Sequence, residues 1–459
     1  MHYLKYLVST LFVVVAVSVA AIAAASELLP VERLGKTLFF DEGLSTPPGQ
    51  SCADCHDPAV GWTGPDPAIN AAGGVMEGAV HTRFGNRKPP ASAYAGFNPV
   101  LHRCGEMMGA GGMGGAGGMG GNGGNGGMNG EGIACQGQFV GGMFWDGRAT
   151  GWVLGDPLAE QAQGPFLNPL EMNNPNAKHV CIKVRESSSA GLFKEVWGPK
   201  SLDCVKDVEG TYERIARSIA AYERSSEVNP FSSKFDVFWR NAANSRPRVP
   251  MINMMNWQRF RNYGLNDMEL MGLAVFNTKG KCSTCHMLQP MHGSEYPLFT
   301  DFQYHNLGLP KNPENPFYAM PKPWNADGGN WIDLGFGGFL EKAEDSGGSG
   351  ILRDYTSFAS ENRGKHKTPT LRNVDMRPSP DFVKAYGHNG ALKSLMEVVH
   401  FYNCRDAAFE PQCTMLPPFA EPEVRENVNT TDMGNLGLTQ QEGMALIAFM
   451  KTLTDGFMP

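Results

Sequence analysis

The sequence predicts a mainly α-helical protein of two similar domains joined by long loops. Apolar side chains recur at helical spacing from about Thr211 to Arg224 and again from about Thr439 to Leu453. Thr439 and Glu442 also form the pattern of a capping box at the start of the second segment. Few stretches alternate apolar and polar residues as strands do, and the 56 glycines and 32 prolines indicate long loops between short helices.

One short segment occurs twice with the same order of residue types. Residues 34–40 (LGKTLFF) and 271–276 (MGLAVF) each contain an apolar residue, a glycine, further apolar residues and a phenylalanine. Internal repetition of this kind indicates two related structural units. We therefore expect domains at residues 26–235 and 236–459, each closed by one of the two predicted helices.

The N-terminus predicts export from the cytoplasm. Lys5 is followed by an apolar run from Leu7 to Ala25 that ends in small residues. This order is typical of a signal peptide comprising residues 1–25, and an uncleaved membrane anchor is the alternative because the run approaches the length that spans a bilayer. We expect a mature protein in the periplasm or at the cell surface.

Six of the ten cysteines lie in local pairs, which fits an oxidising compartment. Each pair would close a loop within one region if it formed a disulfide, and free buried thiols are the alternative. The pairs are Cys104/Cys135, Cys181/Cys204 and Cys404/Cys413.

Residues 105–132 form an insertion made almost entirely of Gly, Met, Asn and Ala. Such a composition offers too little side chain to offset the entropy of ordering, so it predicts a flexible loop. Its thioether side chains would suit Cu(I), and a tolerated insertion without function is the alternative. The methionines are Met107, Met108, Met113, Met119 and Met128.

The charge of the chain argues against nucleic-acid binding. The formal net charge is −7, and no stretch concentrates lysine and arginine. A protein that binds the phosphate backbone usually carries a basic patch.

Two C-x-x-C-H motifs carry the strongest chemical signal. Two thiols at this spacing can form thioethers to the vinyl groups of one haem, and the adjacent histidine ligates the iron. A redox disulfide and half a zinc site are the alternatives, but the histidine and the predicted export favour two covalently bound haem c groups. The motif residues are Cys52, Cys55 and His56, then Cys282, Cys285 and His286.

Beyond these motifs, the chain resembles the bacterial di-haem cytochrome c peroxidases and the related MauG enzymes. The likeness extends from about Leu34 to Gly456 and implies two cytochrome-c-like domains with one haem each. It rests on FWDGRA at 144–149, EQA at 160–162, GP at 164–165, PLEM at 169–172, TPTLRNV at 368–374, HNG at 388–390 and Leu395.

The resemblance implies catalytic roles around the haem on His56, where peroxide would react. Glu171 and Gln161 would line its distal pocket, and Trp145 would lie between the haems. A carboxyl group in an apolar pocket can move the proton that cleavage of an O–O bond requires. The alternatives are solvated loop positions for Glu171 and Gln161 and an ordinary core aromatic for Trp145.

The sixth iron ligands distinguish branches of this family. Tyr402 lies seven residues after Leu395, where the peroxidases have a ligating methionine and MauG has a tyrosine. The alternative is that Tyr402 packs beside the second haem while Met396 or another methionine ligates. His81 is a candidate for the loop ligand that many resting peroxidases place on the first iron, and an ordinary surface histidine is the alternative.

The resemblance therefore implies reduction of hydrogen peroxide to water. Electrons would come from a small protein, either a c-type cytochrome or a blue-copper protein, and pass from the C-terminal haem to the N-terminal haem. The alternatives are MauG-like oxidation of a protein substrate through a high-valent di-haem state, and a surface cytochrome for electron transfer or copper handling. The family also suggests a calcium ion between the domains, near residues 377–380, and is compatible with a homodimer.

Overall fold

The computed structural model describes residues 27–105, 137–342, 355–414 and 416–458. The predicted signal peptide, the five methionines of the insertion and Cys135 lie outside these ranges. Within them, no helix is long and apolar enough to cross a membrane. The α-helices are α1 (Pro30–Phe39), α2 (Pro67–Ala71), α3 (Pro157–Leu167), α4 (Ala177–Glu186), α5 (Ala190–Trp197), α6 (Val208–Arg224), α7 (Lys234–Asn241), α8 (Asp267–Asn277), α9 (Gly335–Glu341), α10 (Leu395–Cys404) and α11 (Gln440–Lys451).

Strands in the described part of the chain form two short antiparallel pairs. In the first, β1 (His102–Arg103) pairs with β2 (Phe139–Val140), and in the second, β3 (Tyr304–His305) pairs with β4 (His366–Lys367). The remaining connections are long loops. The predicted mainly α-helical fold is therefore confirmed.

The first half is organised around the crossing of α1 and α6. Gly35 on α1 lies so close to α6 that a Cβ atom there would be 1.8 Å from the Ser218 carbonyl oxygen. The helix predicted between Thr211 and Arg224 lies within α6, and its expected apolar face is buried. The crossing therefore depends on a position without a side chain.

The second half repeats this arrangement with α8 and α11. A Cβ atom on Gly272 would lie 1.9 Å from the Ala445 carbonyl oxygen, so α8 approaches α11 as α1 approaches α6. The predicted capping box is present, because the Glu442 amide donates to Thr439 Oγ1 and the Thr439 amide donates to Glu442 Oε2. The repeated glycines of the sequence thus occupy matching helix crossings.

Each helix pair lies within a larger apolar core. The first core gathers side chains from α1, α3, α4, α5 and α6, and the second gathers them from α7, α8, α10 and α11. Phe235, in the first turn of α7, is fully buried in the second core. The boundary at residue 235 stays a prediction, although the change of core occurs in the same region.

Two of the three predicted disulfides are confirmed. Cys181 in α4 bonds Cys204, and Cys404 at the end of α10 bonds Cys413. The predicted pairing of Cys104 with Cys135 stays a prediction, because Cys135 lies outside the described residues.

Candidate haem sites

Each C-x-x-C-H motif folds into one helical turn. The His56 amide donates to the Cys52 carbonyl at 3.0 Å, and the His286 amide donates to the Cys282 carbonyl at 2.8 Å. The four motif cysteines are free thiols, so their sulfur atoms are available for thioether bonds. This local geometry fits covalent attachment of one haem to each motif.

Each motif histidine is oriented by a backbone carbonyl. His56 Nδ1 lies 3.2 Å from the Trp62 oxygen, and His286 Nδ1 lies 2.9 Å from the Phe299 oxygen. When Nδ1 carries the hydrogen, Nε2 keeps its lone pair for a metal. Both histidines can therefore present Nε2 to a haem iron.

The residues that supply these two carbonyls have unusual backbone conformations. Trp62 has φ 62° and Phe299 has φ 53°, both in the left-handed region. This conformation costs a residue with a side chain about 1–2 kcal/mol, and such strain is found where a functional site requires it. No sequence pattern marks either residue, since large aromatics are not typical of this conformation.

A large cavity adjoins the second motif. Cys282, Cys285 and His286 line one side, and Tyr402 of α10 lines it as well. Burial raises the pKa of Tyr402 well above its ordinary value, and the nearby Cys285 and Cys282 sulfurs raise it further. The structure thus brings together the histidine and the tyrosine that were predicted as ligands of the second iron.

The methionines near this cavity differ in their positions. Met396, the alternative ligand, lies on α10 with 47% of its surface exposed and does not line the cavity. Met433 and Met450 are buried and do line it. Ligation of the iron by Tyr402 stays a prediction, and Met433 or Met450 replaces Met396 as the methionine to test against it.

Glu171 lies in a turn that folds back onto the end of α3. The Met172 amide donates to the Pro165 carbonyl at 3.1 Å, and Asn168 Nδ2 donates to Glu171 Oε1 at 2.8 Å. Burial raises the pKa of Glu171, although Arg148 and Asn168 oppose this rise. The site therefore holds an oriented carboxyl group that retains its proton more readily than an exposed glutamate.

Glu171 is near the first haem motif. Burial raises the pKa of the Cys55 thiol to about 12, and the Glu171 carboxylate adds to that rise. Gln161, the other residue predicted for the distal pocket, is partly buried on α3. Its role stays a prediction.

The loop that carries His81 packs against Glu171, but the His81 ring points to solvent. The Ala79 amide donates to the Glu171 carbonyl at 2.8 Å. The His81 side chain is 88% exposed, and its Nδ1 lies 3.2 Å from a Glu77 carboxylate oxygen. The structure therefore places His81 beside the first site without directing it into that site, and its ligation of the iron stays a prediction.

Trp145 connects the surroundings of the two motifs. It is buried, lines the cavity of the second motif, and donates from Nε1 to the Lys88 carbonyl at 2.7 Å. Lys88 Nζ in turn donates to Thr63 Oγ1 at 2.8 Å, within the loop that orients His56. This position is consistent with the predicted place between the haems.

A buried polar cluster beside Trp145 was not predicted as part of the site. The rings of His366 and His388 stack with centroids 3.5 Å apart, and neither Nε2 has a hydrogen-bond partner. Arg87 donates two hydrogen bonds to Asp333, which lies 3.4 Å from His366 Nε2. A metal ion at this cluster would have to compete with Arg87, which already pairs with the Asp333 carboxylate at 2.6 and 2.7 Å.

These unsatisfied nitrogens fit the acidic edge of a haem. Buried polar atoms normally have partners, and both histidines line the same cavity as His286. A propionate group of a haem in that cavity could accept hydrogen bonds from them. His388 belongs to a recognised sequence signature, but no signal in the sequence connected it to Asp333 or Arg87.

The segment expected to help supply calcium, residues 377–380, directly follows a site that does not suit a divalent cation, and calcium binding itself stays a prediction. The backbone carbonyls near residues 373–376 converge with that of Val60 on the ammonium group of Lys384. A calcium ion there would face a positive charge at hydrogen-bond distance from its own ligands.

Comparisons with known proteins agree with this geometry. The profile of the family described as di-haem cytochrome c peroxidase matches residues 30–244. The methylamine utilization protein MauG of Paracoccus denitrificans (strain Pd 1222) is 30% identical over 452 residues, which cover 96% of this chain and 93% of that protein. Cytochrome-c peroxidase IdrP1 of Denitromonas iodatirespirans is 24% identical and covers 92% of this chain and 80% of its own.

Solved structures give the same result. The di-haem peroxidase BthA of Burkholderia thailandensis E264 is 25% identical, with a TM-score of 0.61, and the match covers 93% of this chain and 86% of that one. A MauG-like protein associated with microbial copper homeostasis shares the fold, with a TM-score of 0.53 and 19% identity. This chain therefore belongs to the family of di-haem cytochrome c peroxidases and MauG proteins, which implies two c-type haems.

Proposed function

We propose that this protein reduces hydrogen peroxide to water at the haem on His56. The observation that carries the proposal is Glu171, an oriented, partly buried carboxyl group beside the first motif with a raised pKa. The haem, when bound, supplies the redox chemistry, and the protein supplies orientation and proton transfer. We place this activity in the periplasm or at the cell surface.

Glu171 acts as the acid/base in this proposal. As a carboxylate it takes a proton from the inner oxygen of hydrogen peroxide and returns it to the outer oxygen, which leaves as water. The complete reaction consumes two electrons and two protons and yields two molecules of water. Asn168 holds Glu171 Oε1 by a hydrogen bond of 2.8 Å, which limits the rotation of the carboxyl group.

The electrons enter at the second motif in this proposal and come from a small redox protein, either a c-type cytochrome or a blue-copper protein. The cavity that contains His286 reaches Trp145, and Trp145 is linked through Lys88 to the loop that orients His56. This packed path supports transfer toward the first motif.

Glu171→Gln tests the proposed chemistry. The amide keeps the size and polarity of the side chain but cannot exchange the proton, so peroxide turnover should fall about 10²- to 10⁴-fold. Haem content and the visible spectrum should not change. Glu195→Gln, on the exposed side of α5, is the control and should keep full activity.

The pH dependence provides a second measurement of the same role. A base must be deprotonated to accept a proton, so wild-type kcat/KM should fall as the pH decreases through the raised pKa of Glu171. The kcat/KM of the Glu171→Gln variant should not show this fall at low pH. An unchanged turnover in that variant would assign the proton transfer to another group.

Oxidation of a protein substrate is the second candidate function. It is favoured by Tyr402 in the cavity of the second motif and by the similarity to MauG. The two candidates differ in the effect of Tyr402→Met on peroxide turnover with small electron donors. A protein-oxidising enzyme should gain such turnover from this substitution, whereas a peroxidase should keep its turnover or lose part of it.

A further inference from the structure

The ammonium group of Lys384 lies at a point where three backbone carbonyls converge. Its Nζ atom is 2.9 Å from the oxygen of Val60, 2.9 Å from that of Asn373 and 3.0 Å from that of Met376. The residue is only 4% exposed. An ammonium has three N–H donors and a neutral amine has two, so only the charged form can donate to all three carbonyls.

The three carbonyls come from both halves of the molecule. Val60 lies four residues after His56, and its loop also supplies the carbonyl that orients that histidine. Asn373 lies within the TPTLRNV segment and lines the cavity of the second motif, and Met376 follows that segment. Lys384 therefore connects the surroundings of one haem motif to those of the other.

Gly61 makes this close approach possible. It has φ 74°, and a Cβ atom there would lie 2.8 Å from the Asn373 oxygen and 3.2 Å from Lys384 Nζ. Because no side chain separates the two loops, they meet directly around the ammonium. The contact is thus built from a glycine, three carbonyls and one lysine.

The charges near Lys384 make a second cation unfavourable. Burial lowers the pKa of Lys384, Lys88 and Arg377 lower it further, and Asp375 raises it. The Asp375 carboxylate already binds Arg377 at 2.6 Å. The hydrogen bonds to the three carbonyls favour the protonated amine, because the neutral amine can donate to only two of them.

We propose that Lys384 takes the structural role of the calcium ion that the family suggests between the two domains, at carbonyls that directly precede the expected segment 377–380. Converging carbonyl oxygens are the ligands that calcium uses, and here a covalently attached ammonium group occupies them. The two haem motifs are consequently held in register without a metal ion. The protein needs no calcium for its stability or for the alignment of its haems.

The first experiment uses the wild-type holoprotein with both haems. Metal analysis after dialysis should find no calcium, and EDTA should change neither the thermal midpoint nor the haem spectrum. One bound calcium per chain, together with a lower midpoint in EDTA, would overturn the proposal. This measurement does not depend on peroxide turnover, so it is independent of the proposed function.

The second experiment removes the ammonium. Lys384→Met keeps most of the aliphatic stem but leaves three buried carbonyls without a donor, so the thermal midpoint should fall by roughly 5 °C or more. The matched control is Lys311→Met, because Lys311 also donates to two backbone carbonyls, but both lie in the segment from Gly329 to Trp331. An unchanged midpoint in Lys384→Met would overturn the proposal.

A third variant keeps the test valid if Lys384→Met does not fold. Lys384→Ala leaves space beside the carbonyls, and added methylammonium or calcium should raise its midpoint at millimolar concentrations. Neither cation should affect wild type or Lys311→Met. If neither cation raises the midpoint of Lys384→Ala, the carbonyls do not form a cation site and the proposal fails.

Discussion

The two haem-binding halves are nearly the same in the structure that holds and orients each motif histidine. Each has a helix crossing at a glycine, one turn of C-x-x-C-H, and a left-handed aromatic residue whose carbonyl orients the histidine. Each also has three aromatic rings in mutual contact, with centroids 5.6–6.0 Å apart in the first half and 5.2–6.3 Å apart in the second. The rings belong to Phe39, Trp62 and Tyr222 in the first half and to Phe276, Phe299 and Phe449 in the second.

The halves differ in the groups that are predicted for the distal side of each haem. The first half provides Glu171 from a turn after α3, and the second provides Tyr402 from the helix α10. A carboxyl group on a turn can exchange a proton with a small molecule, whereas a phenol fixed on a helix can hold a metal. With the roles proposed for Glu171 and Tyr402, the comparison teaches that one scaffold can serve two purposes when the distal groups differ.

Adding a side chain at either of the two glycine crossings should have the largest effect on stability. Gly35→Ala and Gly272→Ala would each place a Cβ atom within 2 Å of a carbonyl oxygen, so each should destabilise its half by about 3 kcal/mol. Thermal unfolding and haem content would measure the effect. Gly191→Ala on α5, where a Cβ atom meets nothing within 4 Å, should not lower stability. Equal stability of all three variants would show that the crossings do not need a glycine, and a loss at only one crossing would contradict their equivalence.

Changing the distal tyrosine should affect only the second site. Tyr402→Phe removes the phenol oxygen but keeps the ring, so the reduction potential of one haem should rise on the order of 100 mV, within the span of about 0.8 V that axial ligands control. One low-spin ferric signal should also change. Tyr386→Phe is the control, because Tyr386 lines the same cavity but donates its hydroxyl to the Val374 carbonyl. If both variants keep the wild-type spectrum, Tyr402 packs beside the haem and does not ligate the iron.

Replacing Trp145 tests whether electrons pass between the two haems by way of the residues that separate them. Trp145→Phe should slow electron transfer between the haems about tenfold, equivalent to ~1.4 kcal/mol in the barrier. Rapid mixing of half-reduced protein with peroxide would measure the rate. Trp152→Phe loses the same kind of hydrogen bond, an indole N–H to a carbonyl at 2.7 Å, but Trp152 does not line the cavity. Equal rates in the two variants would exclude a special role for Trp145.

Removing the two disulfides, one in each half, should give the smallest difference in the free energy of unfolding. Cys181 and Cys204 are 23 residues apart and lie in the first half, whereas Cys404 and Cys413 are 9 apart and lie in the second. Closing a longer loop removes more entropy from the unfolded chain, so replacing the first pair by alanine should cost about 0.8 kcal/mol more. Denaturant unfolding would measure this difference. A larger loss from the second pair would indicate that its loop supports Tyr402 directly.

The sequence by itself determined the fold class, both haem motifs, the helix capped at Thr439 and two disulfides. These features were readable because each depends on local spacing: the helical period of apolar residues, the C-x-x-C-H interval and the short distance between paired cysteines. The repeated glycines were visible too, since the residues around them repeat in order. What they contact was not visible, because the partner lies more than 170 residues away in the chain.

Only the tertiary structure decided which long-range neighbours complete each site. The carbonyls of Trp62 and Phe299 are backbone atoms, and no side-chain pattern marks them. Lys384 is an ordinary lysine in the sequence and becomes a buried link between the halves only because Val60, 324 residues earlier, packs beside it. The tertiary structure likewise places Met396 at the surface, outside the second cavity, and leaves the His81 side chain in solvent. Such properties depend on packing between distant segments, which residue spacing does not encode.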